Sequence, residues 1–205
     1  NWTRPGVQAL PQAAAGAITW MNAATGKLSD GTTHGAITSA NSLVGDVASS
    51  FVGNYGPLDL GNGKVALKAP QWGGNARGAV TWMDTANGQL ADNSFGGVVG
   101  VANSLVGVNA NDNVGGAGEG LTQAGFNYVV HSALNGDGAL TWVDGSTGKT
   151  SNGSGLVSLA NSLMGGVGDG VGSGVATQLF NGNLLFVNPL WGGGKGAVTW
   201  MNSSN

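Results

Sequence analysis

The sequence predicts an all-β repeat protein: about three units of 58–62 residues, each a four-stranded antiparallel sheet shaped like a propeller blade. Three observations carry this reading. Gly-Ala-aliphatic-Thr-Trp occurs at Gly16–Trp20, Gly78–Trp82, Gly138–Trp142 and Gly196–Trp200, with starts 62, 60 and 58 residues apart. A second motif keeps the same beat at Asn41–Gly45, Asn103–Gly107 and Asn161–Gly165. Such periodic self-similarity marks a repeat architecture. The third observation is compositional. Glycine supplies 40 of 205 residues and charged residues only 8%, yet 41% of the chain is hydrophobic and there are seven Trp. Disordered chains lack that apolar content. Polar positions filled by Asn, Ser, Thr and Gly suit short strands and tight turns better than helices.

The repeats divide the chain into a partial unit 1–46, full repeats 47–107 and 108–165, and a partial unit 166–205, all one array. Ala17 to Asn22 alternates as a strand, with Ile18 and Trp20 on one face and Thr19 and Met21 on the other. A Gly-containing turn follows at Ala23–Lys27 and recurs at Thr85–Gln89 and Gly145–Lys149. A strand is expected through Ala36–Ala40 into the Asn-Ser-Leu motif. In the first full repeat, Leu58–Leu60, Gly61-Asn62-Gly63 and Val65–Leu67 read as a hairpin, since Asn-Gly between alternating segments is a strong hairpin signal. The last repeat matches it with Asn181-Gly182-Asn183, and the middle one turns at Ala124-Gly125. Pro70 and Pro189 close the second strand, where a missing donor does little harm. The Thr-Trp motif is then the third strand and the Asn-Ser-Leu motif the fourth. Sequential strands joined by short turns pair as a meander. One such sheet cannot bury both faces, but stacked sheets can. A β-solenoid, with rungs of about 20–30 residues, fits the period less well.

Two stretches resemble FG-GAP-type repeats and the repeats of long bacterial haemagglutinin-like surface proteins. They are Asp169–Gly172 with Asn181–Pro189 and Gly196–Trp200, and Asp112–Gly115 with Tyr128–Val130 and Gly138–Trp142. The resemblance implies propeller blades and a cell-surface or secreted setting. Calcium, which that family binds on alternating Asp, is not carried over, because the turns Gly61–Gly63 and Asn181–Asn183 hold no acid. No cofactor or metal is expected.

The first partial unit holds a third and fourth strand, and the last holds the first three. Each end would expose unpaired sheet. Flanking repeats of a longer chain would cover it, as would self-association of one copy's end with the next copy's end into a head-to-tail filament.

Trp20, Trp82, Trp142 and Trp200 repeat at one strand position and read as structural core that plugs the space between blades. Trp72 and Trp191 lie in Gly-rich loops and are the candidate ligand-binding aromatics, with a glycan as the ligand. Packing of the loop is the simpler account of them. His34 and His131 occupy unrelated places and form no metal spacing. Asp84 and Asp144 alternate with Asn22 and Asn202, so the position wants a turn acceptor rather than a titrating acid. Asp46, Asp112 and Asp169 fall in loops and read as turn caps. Acids scattered in this way do not make the converging pair of a glycosidase. A net charge of −3 without a basic cluster argues against nucleic acid, and no apolar run is long enough to insert into a membrane. The expectation is a non-enzymatic structural or adhesive repeat module of an extracellular or cell-surface bacterial protein. The alternative is a lectin-like module using Trp72 and Trp191.

Overall fold

A computed structural model describes residues 14–203; the first thirteen residues of the partial unit 1–46 lie outside them. The described chain is all-β, with fourteen short strands in four sheets and three single helical turns.

The two full repeats are four-stranded meanders. In the first, β3 (Leu58–Asp59), β4 (Lys64–Ala69), β5 (Ala79–Asp84) and β7 (Ser104–Val106) pair in that order. In the second, β8 (Leu121–Ala124), β9 (Asn127–Ser132), β10 (Ala139–Val143) and β11 (Ser162–Met164) do the same. The last unit has β12 (Ala176–Gln178), β13 (Leu184–Asn188) and β14 (Ala197–Met201). The first has β1 (Ala17–Ile18) and β2 (Leu43–Val44). Alternation fixes register: Lys64 pairs with Asp84, Ala66 with Trp82 and Ala69 with Ala79, so one face of β4 meets one face of β5 along its whole length. The Gly61–Gly63 turn closes as expected, with Leu60 N–H donating to the Lys64 carbonyl at 3.0 Å.

Three features depart from the expectation. The segment Ala36–Ala40 is no strand. Instead the Asn41 side chain folds it into a loop: Oδ1 accepts the Thr38 N–H at 3.0 Å and Nδ2 donates to the Ala36 carbonyl at 3.0 Å. Asn103 and Asn161 do the same to Gly100 and Val98, and to Ser158 and Leu156. An amide that satisfies the local backbone competes directly with a sheet ladder. Next, the Gly-rich loops after the second strands wind into helical turns at Trp72–Ala76, Leu134–Gly136 and Trp191–Gly194.

The third feature links the units. β6 (Gly97–Val98), from the second unit, pairs in parallel with β2 of the first, and Leu156 bridges in parallel to Val106 one unit later. Neighbouring units are therefore joined by backbone hydrogen bonds as well as by packed faces. The apolar clusters lie at these boundaries. Leu43, Met83, Leu90, Ile18 and Trp20 fill the first, and Trp82, Leu105, Tyr128, Val130 and Val143 fill the second. The third holds Leu140, Leu184 and Phe186, with Trp142 and Met201 against them.

Candidate functional site

The feature built most consistently along the chain is the joint between units, and the Gly-Ala-aliphatic-Thr-Trp motif assembles it residue by residue. Its glycine lies where strands cross closely. A Cβ at Gly16, Gly78 or Gly138 would fall 2.2, 2.2 or 2.1 Å from backbone atoms of Val52, Val114 or Val171, residues to which these glycines bridge in parallel. The next two positions, Ala79 and Val80 or Ala139 and Leu140, are buried. The threonine enters a polar ladder. Thr19, Thr81 and Thr141 hydroxyls meet Ser42, Ser104 and Ser162 at 2.7, 2.6 and 2.7 Å. Each serine in turn donates to the Oδ1 of Asn41, Asn103 or Asn161 at 3.0, 2.9 and 2.9 Å. The two motifs found in the sequence are thus the two halves of one hydrogen-bonded device. Hydrogen bonding satisfies polar groups that burial would otherwise penalise.

The tryptophan makes the joint itself. Trp20 Nε1 donates to the Thr85 carbonyl and Trp82 Nε1 to the Gly145 carbonyl, both at 2.8 Å and both in the following unit. Each ring lies on a glycine of the same turn. A Cβ on Gly88 would come within 2.8 Å of the Trp20 ring, and one on Gly148 within 2.5 Å of Trp82. Positive φ at both glycines, 80° and 72°, closes the turn. Lys64 lies over the Trp82 ring at 5.6 Å and bridges Asp84 at 2.6 Å; this hydrogen bond holds the Asp84 carboxyl below its ordinary range.

At the third boundary Trp142 packs against the Leu140, Leu184 and Phe186 cluster, but its Nε1 is buried without a partner, and the Ser203 carbonyl accepts from Asn127 Nδ2 at 2.9 Å. The fourth tryptophan differs: Trp200 is 56% exposed, because no further unit covers it among the described residues.

Of the two loop tryptophans, Trp72 is buried, with Arg77 4.7 Å above its ring. It presents no open face to a sugar, which corrects the expectation of a platform there: the helical turn folds the indole inward. Trp191, in the equivalent turn of the last unit, is exposed. A groove beside the first two helical turns is lined by Gln71, Ala76, Asn111, Asn113, Ala133 and Asn135, all neutral.

His34 is exposed beside Thr33. His131 is fully buried. Its Nδ1 lies 2.8 Å from the Gly172 carbonyl, so it carries the proton, and Nε2 takes the Thr122 hydroxyl at 2.8 Å. Burial pushes its pKa down from the ordinary 6.5. Burial likewise raises that of Tyr128. The turn residues at this position act as acceptors: Asn22 Oδ1 receives the N–H groups of Ala24 and Thr25, Asp84 that of Ala86 and Asp144 that of Ser146. Asp112 caps Val108 and Asn109, Asp46 accepts from Ser50, and Asp169 receives Gly166 and Gly192. No group of three or more His, Asp or Glu gathers for a metal among the described residues.

The sequence pattern of a family described as a repeat of unknown function, DUF5650, matches residues 2–54, 59–116, 123–173 and 178–205. The chain belongs to the DUF5650 repeat family. The matches 59–116 and 123–173 each begin in the first strand of a full repeat and run through its Trp and Asn-Ser-Leu motifs, so each takes in one four-stranded sheet. No curated protein and no solved structure matches the chain.

Proposed function

We propose that this DUF5650 array is a structural module whose working part is the joint: a blade-like unit that exists to be stacked on another of its kind, in a secreted or cell-surface protein of a bacterium. The supporting observation is that the Trp-on-glycine seat, its carbonyl acceptor and the Thr-Ser-Asn ladder recur at successive units, while Asp84, Asp112, Asp144 and Asp169 are spent as turn caps. Low charge and an Asn, Ser, Thr and Gly surface support the extracellular setting. Stacked units extend by adding nearest-neighbour interfaces, which favours self-association of complementary faces.

Inserting a second copy of residues 108–165 after Gly165 tests the module. The lengthened chain should fold cooperatively, grow along one axis in solution scattering, and melt no lower than the original. An insertion that unfolds the chain, or adds a separately melting particle, would refute modular stacking.

One observation favours glycan binding as a second reading. The neutral amides of Asn111 and Asn135 make no side-chain hydrogen bonds within the described chain and line the groove beside Gln71. Loss of glycan-array signal in Asn111→Ala, with Trp191→Ala as a comparison, would support it over a purely structural role.

A further inference from the structure

We infer that the exposed Trp200 face and the open Gly26 turn are the two halves of one more joint, so that Trp200 of one copy seats on the Gly26 turn of a second copy. This inference rests on the stacking module proposed above and names the partner surface.

The chain makes the joint twice with the same parts: an indole N–H reaching a turn carbonyl at 2.8 Å, and the ring lying on that turn's glycine. At the far end, Trp200 is 56% exposed beside Val198 at 64%, and its Nε1 meets no acceptor among the described residues. Asn183 stands where Asn127 stands one unit earlier. Asn127 Oδ1 accepts Gly145 N–H and Asn183 Oδ1 accepts Ser203 N–H, but only Asn127 has a next unit to receive its Nδ2.

The opposite end carries the matching half. The Asn22–Lys27 turn has the form of the occupied ones: Gly26 N–H donates to the Asn22 carbonyl at 2.8 Å, as Gly88 does to Asp84 at 2.8 Å and Gly148 to Asp144 at 2.7 Å. Gly26 has φ 69°, yet among the described residues no atom beyond its chain neighbours lies within 4 Å of where its Cβ would be. The Ala23 carbonyl, equivalent to those of Thr85 and Gly145, receives no donor among the described residues, and Met21 beside it is 56% exposed. One end offers indole, amide and valine; the other offers glycine, carbonyl and methionine. The two surfaces differ, so their contact is head-to-tail and propagates.

Sedimentation of the full chain over a range of concentrations, with the variants Trp200→Ala and Gly26→Ala, tests this. Trp200 is exposed and Gly26 has open space, so near-UV circular dichroism should show both variants folded. Wild type should form a concentration-dependent ladder of oligomers. Each variant should associate at least about tenfold more weakly, the loss expected for an anchor aromatic. An equimolar mixture of the two variants should stop at the dimer, since only one intact joint remains. Association that survives both substitutions would overturn this joint and leave stacking intact. A wild type that stays monomeric throughout would overturn the joint and self-assembly together. Leu159→Ser, removing an 81% exposed leucine elsewhere, should change nothing, and a loss of association there equal to that in Trp200→Ala would also overturn the inference.

Discussion

At the residue scale, the chain relies on glycines that make room for indoles. Gly88→Ala and Gly148→Ala combine a positive φ with a Cβ driven into a ring. Each should destabilise by about 2–4 kcal/mol in urea titrations, the sum of backbone strain and overpacking. Gly26→Ala has only the strain, so about 1 kcal/mol is expected. Burial makes the Thr-Ser-Asn ladder sensitive to loss of one member. Ser104→Ala would leave the Thr81 hydroxyl and Asn103 Oδ1 short of a partner, with an expected cost of about 1–3 kcal/mol. His131 supplies a pH dependence. Its folded pKa is depressed by burial, so the unfolded chain binds the proton more readily. The stability that the neutral ring contributes is complete above 6.5 and is lost as pH falls from there toward the lower folded value. Glu119 and Lys68 are the charges facing the ring, and they act in opposite directions. Melting temperature should fall below pH 6.5 in the wild type and fall less in His131→Gln.

At the scale of elements, strand length follows from what each strand must join. β4, β5, β9 and β10 run five or six residues and are largely buried, because they form the centre of two-sided sheets. The fourth strands stop at two or three residues, because the preceding Asn spends its amide on the local backbone. Much of this was legible in the sequence. The hairpins, the third strand and the Thr-Trp repeat are set by alternation and turn residues that act within a few positions. The loop at Ala36–Ala40 was not legible as such. An Asn at that place is compatible with a strand until its amide is seen to bond residues three and five positions back. Nor could the inward turn of Trp72 be read, since an indole among glycines has no local signal for which way it packs.

At the scale of the whole molecule, order should decline from the middle outward. The central strands β5 and β10 are covered on both faces, whereas β14 alternates half-buried and exposed positions. Hydrogen exchange should therefore be slowest at Val80–Trp82 and Leu140–Trp142 and faster at Val198–Trp200. Equal protection in β14 would show that its outer face is covered in solution.

From the sequence alone came the period, the unit and the four strands in each, because short-range patterning dictates backbone pairing. It also marked Gly, Thr, Trp, Asn and Ser as the residues that matter, since they recur where all else drifts. Only the tertiary structure decided that these residues belong to one joint. A tryptophan meets a glycine some sixty-six to sixty-eight positions later, a contact made by stacking that no local pattern encodes. It likewise decided that Trp82 is enclosed and Trp200 is not, because burial depends on what stands on the other side of the sheet.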